Sequence, residues 1–142
     1  MNHSKNIDLM LKLICESIEK TSNQQLKRFD LTLSQGRILG YLHERKGLKT
    51  SQKDIEEYFA VTHPTVIGIL HRLESKGFIT SEFDAEDKRI KNIYLTEKEA
   101  PIYLIMSEFR QQVEQKMLRK LTDAQIKELQ YLLNIIYNSI QA

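Results

Sequence analysis

Along most of this chain the apolar positions recur with the period of a buried helix face. Ile7, Leu11, Ile14 and Ile18 form one stripe and Met10, Leu13 and Ser17 the adjoining one, which predicts a long amphipathic helix from about Ile7 to Lys27. The run Phe29-Asp30-Leu31-Thr32-Leu33 breaks the period. Ser34 then reads as the N-cap of a second helix that buries Ile38, Leu39 and Leu42 and ends at Gly47. Ser51 and Asp54 have capping-box spacing and open a short third helix, with Ile55, Tyr58 and Phe59 facing inward. Ala60 and Val61 alone separate it from a fourth. There Val66, Ile69, Leu70 and Leu73 fall at i, i+3, i+4 and i+7, Thr62 is placed to cap, Pro64 suits the first turn, and Gly77 ends the helix. Its other face carries Thr65, Gly68, His71, Arg72 and Ser75.

The period then changes. Residues 78–83 and 90–95 are rich in β-branched and aromatic residues, and the charged run 84–89 divides them, which predicts a two-stranded ribbon with a solvated tip. Thr96 and Glu99 read as a capping box opening a long helix to about Arg119, with Pro101 past the first turn and expected to kink it mildly. Thr122 and Gln125 repeat the signal before a last helix through Ile126, Leu129, Leu132, Leu133, Ile136 and Ile140. A second stripe on these two helices (Leu104, Ile105, Phe109, Val113, Met117, Tyr131, Ile135 and Tyr137) exceeds what a small core can cover. A symmetric homodimer built from the first helix and the last two would bury it.

Composition narrows the classes. With 142 residues, 41% of them hydrophobic, the chain is expected to form one domain, and a net charge of only +2 means that any surface for nucleic acid must concentrate its charge locally. No apolar run approaches the ~18 to 20 residues of a membrane span, and Met1 to Lys20 lacks the form of a signal peptide, so a cytoplasmic location without membrane attachment is expected. Cys15, the single cysteine, has no internal disulfide partner. No Gly-rich phosphate loop, nucleophile with a base or metal cluster stands out, so neither an enzyme nor a cofactor is expected.

Two helices joined by a tight turn make a helix-turn-helix, whose second helix fits the major groove of double-stranded DNA. The candidate contacts are Thr62, His63, Pro64 and Thr65 at its N-terminal end, then Gly68, His71 and Arg72 along the exposed face. Hydroxyls can bond a base or phosphate, the Pro64 ring and Thr65 methyl can touch a thymine methyl, and Gly68 removes a side chain where a helix must come close. Lys76 and Ser75 read as ordinary solvated positions. At the ribbon tip Arg89 is the sharpest candidate, because a guanidinium fits a narrow minor groove; Asp87 would orient it through a bidentate pair, and Lys88 joins them as a DNA contact.

These motifs resemble the MarR-type winged-helix regulators over nearly the whole chain. Leu33-Ser34 with Ile38, Leu39 and Leu42 is similar to that family's second helix, and Val61 to Val66 with Leu73 to Ile79 to its recognition helix and the start of the wing. Asp87-Lys88-Arg89, five residues, then Leu95-Thr96 matches its wing signature, the most specific of the three. Glu99-Ala100-Pro101 departs from the glycine usual after Leu-Thr. The resemblance implies a mainly α fold with a small β-wing: a single domain over 1–142, with a winged helix-turn-helix core at about 31–96 and dimerisation helices at about 5–28 and 97–142. It also implies a homodimeric, usually autoregulating repressor of a pseudo-palindromic operator, released by a small ligand or an oxidant.

For the releasing signal a small organic effector is expected. The alternatives are oxidation of Cys15, or a winged helix working on a protein partner. Cys15 sits where thiol-sensing relatives keep their cysteine, but its neighbours Leu13-Ile14 and Glu16 fit a buried structural thiol better. Zinc ranks lower: His3 is near the terminus, His63 and His71 belong to the reading helix, and His43 alone lies where the winged core should meet the terminal helices.

Overall fold

The computed structural model describes residues 6–141, so the expectations that touch His3 and the extreme ends of the chain lie outside it. Among the described residues the order is α1 (Ile7–Leu26), a short 3-10 turn (Lys27–Phe29), α2 (Leu33–Glu44), α3 (Gln52–Phe59), α4 (His63–Ser75), β1 (Ile79–Phe83), β2 (Lys91–Leu95), α5 (Ala100–Leu118) and α6 (Asp123–Gln141). This is the mainly helical fold with a two-stranded wing that the sequence predicts. Two compact units divide at Glu108 and Phe109: α1 to the first half of α5 form one, the rest of α5 and α6 the other.

The first unit is built on Leu39, Ile55, Leu73, Val66 and Phe78, each at most 1% exposed, with Leu26, Leu31, Ile38, Leu42, Leu70, Ile79 and Ile93 around them. These are the predicted faces of α2, α3 and α4 together with the wing strands. Tyr58 is the exception. It is 67% exposed and rests on Tyr41 with ring centroids 4.2 Å apart, while the next residue, Phe59, packs against the core.

Three chain reversals share one hydrogen-bond pattern. After α4, Phe78 N–H donates to the Leu73 carbonyl and Gly77 N–H to that of Glu74, with Gly77 at φ 82°; the buried pair Leu73 and Phe78 completes a Schellman closure. Phe78 thereby belongs to the closure, and the strand starts at Ile79 instead. The same bonds run from Leu31 to Leu26 and from Val61 to Glu56, but there the left-handed residues are Asp30 (φ 57°) and Ala60 (φ 52°). The Ala60 closure leaves so few residues between α3 and α4 that the two helices must turn tightly.

Two helix starts differ from expectation. The cap of α2 is Thr32, not Ser34: the Thr32 hydroxyl accepts from Gln35 N–H at 3.3 Å and the Gln35 carbonyl oxygen from Thr32 N–H at 3.1 Å. Gln35 is buried, and Lys76 Nζ also donates to it at 3.1 Å, so Lys76 ties α4 to α2. At α5 the expected Thr96–Glu99 box does not form. The Thr96 hydroxyl donates to the Gly77 carbonyl at 2.6 Å, and Glu99 turns inward to His43. Because α5 begins at Ala100, Pro101 is its second residue, where a missing N–H costs no helix bond, and no kink is required. The boxes at Ser51–Asp54 and Thr122–Gln125 form as predicted.

Glu99 is 1% exposed and takes His43 Nδ1 at 3.0 and 3.1 Å on its two oxygens; the His43 ring in turn stacks on Tyr103 at 3.5 Å, 7° from parallel. This fastens the N-terminal end of α5 to α2. Removing the imidazole strands a buried carboxylate, so His43→Ala is expected to cost about 1–3 kcal/mol in urea unfolding. Glu99→Gln, which keeps an acceptor for the ring, should cost less. Equal losses would contradict the pairing.

Candidate nucleic-acid interface

α4 presents its first turn to solvent because its hydrophobic stripe faces the other way. Val66, Leu70 and Leu73 are buried and Ile69 is half-buried, whereas Thr62, His63, Pro64, Thr65, His71 and Arg72 are all exposed. Thr62 caps by backbone geometry alone, and its hydroxyl bonds that of Thr65 at 2.9 Å. His63 is the first residue of the helix and Pro64 the second. The His63 Nδ1 lies 2.9 Å from Glu56 Oε2 on α3. A Cβ added to Gly68 would meet nothing nearer than Arg72 Nη1 at 3.6 Å, so packing within the chain does not demand glycine there. Ser75 and Lys76 are engaged with the protein itself: the Ser75 hydroxyl donates to the His71 carbonyl at 2.9 Å, and Lys76 Nζ donates to the Asp30 carbonyl as well as to Gln35.

The wing strands pair antiparallel, from Ile79 opposite Leu95 to Phe83 opposite Lys91. Their joining tip is ordered by Asp84, whose side chain is only 12% exposed. Its Oδ2 accepts from the N–H groups of Glu86 and Asp87, both at 3.1 Å, and its Oδ1 from Asn92 Nδ2 at 2.9 Å and Lys49 Nζ at 3.1 Å. Lys49 belongs to the loop between α2 and α3, so one carboxylate ties that loop, β2 and the tip together. Those four donors, Lys49 first and then Asn92, hold the Asp84 carboxyl far below the usual carboxylate range, and Asp84 in turn raises the Lys49 ammonium.

Asp87 and Arg89 form the predicted fork, with Nε to Oδ1 and Nη2 to Oδ2 both at 3.0 Å. The Arg89 side chain is nonetheless 89% exposed, so the guanidinium is oriented without being covered. Its pairing lowers Asp87 and raises Arg89. Lys88 is exposed beside it. The structure thus gathers the sequence candidates at two places, the first turns of α4 and the wing tip. Asp84, Asn92 and Lys49 escaped the sequence reading. An aspartate two and three residues before amide donors is a turn signal and could have marked Asp84, but Lys49 lies 35 positions away and gives no local sign.

Other expectations end differently. Cys15 is exposed on α1, so the buried structural thiol is not found. Among the described residues no cluster of metal-binding side chains occurs, and no helix is long and apolar enough to cross a membrane.

A three-helix core whose last helix exposes its N-terminal turn beside a basic-tipped hairpin defines a winged helix-turn-helix protein. Comparison with known proteins agrees. The family model for the MarR family matches residues 29–90. The transcriptional regulator SlyA is 30% identical, with a TM-score of 0.85 over 95% of this chain and 94% of that one. Staphylococcus aureus MepR in its DNA complex is 28% identical, with a TM-score of 0.91 over 96% of this chain and 99% of that one. YybA, a helix-turn-helix-type transcriptional regulator of Bacillus subtilis, is 26% identical over 91% of this chain and 85% of its own length. The chain belongs to the MarR family of transcriptional regulators, and enzymatic activity is not its role.

The pairing of Asp84 makes a pH prediction. Because its folded value is depressed, the order it lends the tip is fully present above the ordinary aspartate value of ~3.9 and is lost only as pH falls toward the folded value. In NMR titrations the amides of Glu86 and Asp87 should keep their shifts at about pH 4 and move only in stronger acid. Movement centred in the ordinary aspartate range would contradict the network.

Proposed function

We propose that this regulator is a cytoplasmic homodimer that represses by binding a pseudo-palindromic operator in double-stranded DNA, and that a small organic ligand releases it. The observation that carries the reading is Arg89, held in a bidentate fork at the wing tip and still 89% exposed. A fixed, uncovered guanidinium on a hairpin has no structural task in its own fold, and its shape suits a narrow minor groove. The first turn of α4 supplies the complementary reader: Thr62, His63, Pro64 and Thr65 at base edges, with Gly68, His71 and Arg72 along the groove wall. Lys88 adds charge and Asp87 holds the guanidinium. Of the three acids of the tip, Asp84 is paired with Lys49 and Asp87 with Arg89, so the charge of two of them is offset.

The dimer is supported by the terminal helices. None of the residues of α5 or α6 that the structure describes is buried, and Leu104, Tyr131, Tyr137 and Ile140 are each more than half exposed. Such apolar helix faces suit a second copy of the chain, which would leave residues of about 31–96 as the reading core and about 5–28 and 97–142 as the dimerisation helices. Release by an organic ligand and the repressing sense rest on the family resemblance.

Arg89→Ala is expected to weaken operator binding about tenfold and to reduce the salt dependence by roughly one phosphate-equivalent. Thr65→Ala and Pro64→Ala should alter the preferred sequence more than the affinity. Fluorescence anisotropy over a range of salt checks both. Normal binding by Arg89→Ala at every salt concentration would overturn the wing assignment.

A further inference from the structure

One polar pair in the reading turn carries information that exposure alone does not. His63 Nδ1 sits 2.9 Å from Glu56 Oε2, the carboxylate being mostly shielded at 19% exposure and the imidazole open at 61%. A carboxylate only accepts, so the proton of this bond resides on Nδ1. The two ring nitrogens lie on different edges of the imidazole, and with Nδ1 turned to α3 the Nε2 is directed away from the carboxylate. We infer that Glu56 fixes His63 as the Nδ1–H tautomer, so that its bare Nε2 accepts a hydrogen bond from the exocyclic amine of an adenine or cytosine in the major groove. This rests on the proposed operator binding and adds the chemistry of one base contact.

The neighbouring groups make that acceptor distinctive. Thr62 and Thr65 spend a hydroxyl contact on each other, Pro64 offers no polar side-chain atom, and Arg72 only donates. An amine-bearing base edge therefore finds in Nε2 an acceptor of fixed direction, whereas a guanine edge, which presents O6 and N7, finds none. The charged groups packed around the pair are few. On α3, Lys53 and Glu57 share a shallow recess with Glu56 and pair with each other at 4.0 Å; on α4, His71, Arg72 and Glu74 follow two or more turns later.

Ring nitrogen-15 shifts of the free protein test the tautomer without DNA. Wild type should show a protonated Nδ1 and bare Nε2, and Glu56→Gln, whose amide can both donate and accept, should show a mixture. A wild-type Nε2–H tautomer would overturn the inference. Selection from a random DNA pool tests the contact. Wild type should select adenine or cytosine at one position of each half-site. His63→Ala should lose about tenfold discrimination at that position alone, and Glu56→Gln should lose part of it. If His63→Ala weakens all sequences equally, the ring touches phosphate and the inference fails while operator binding stands. If wild type selects no sequence at all, operator binding fails with it.

Discussion

The presentation of the wing depends on the Asp84 carboxylate. Four donors from three parts of the chain converge on it: Lys49 from the loop after α2, Asn92 from β2, and two backbone amides of the tip. A two-stranded ribbon of five residues a strand has little cooperativity of its own. Its tip acquires a fixed conformation because a charged group ties it to the helical core. The same contacts solve an electrostatic problem, since a tip carrying Asp84, Glu86 and Asp87 would otherwise repel a phosphate backbone. Pairing turns two of the three acids into supports for the basic groups that remain exposed.

The pattern of one polar side chain serving two elements recurs elsewhere. Gln35 caps α2 and receives Lys76 from the end of α4, and Glu99 binds His43 of α2 at the start of α5. Glu56 does the same between α3 and the first residue of α4. In each case a buried or half-buried acceptor replaces a water contact with a donor from another element. The register between helices is then set by hydrogen bonds as well as by the apolar core. The first turn of α4 and the wing tip, both exposed, are both held from behind in this way.

Much of this was legible in the sequence because helix periodicity and turn chemistry are local. The buried stripes of α2 and α4, the Ser51 and Thr122 caps, the closure at Gly77 and the Asp87–Arg89 fork all follow from residues within a few positions of one another. The misreadings share a cause too. Spacing alone points to Ser34 as the α2 cap and to a capping role for Glu99, because it cannot show that Gln35 and Glu99 have partners 41 and 56 residues away. Tyr58 lies on the helical period of α3 yet is exposed on Tyr41, and Phe59 beside it takes the inward place. Closures at Asp30 and Ala60 lack the glycine that would have announced them. Lys49, essential to the wing, is invisible to any local rule.

Family membership, the exposed first turn of α4 and the oriented guanidinium of Arg89 all support the proposed two-part reader of duplex DNA, which the proposal doubles through the apolar faces of the terminal helices. Two such readers on one two-fold axis would meet half-sites about 34–36 Å, or ~10 base pairs, apart. The most direct test is to recover bound duplexes from a random pool at near-physiological salt and to weigh the resulting complexes. The account predicts a two-fold motif bound by two chains. Salt-sensitive binding without any enriched motif, or one chain on an asymmetric site, would contradict it.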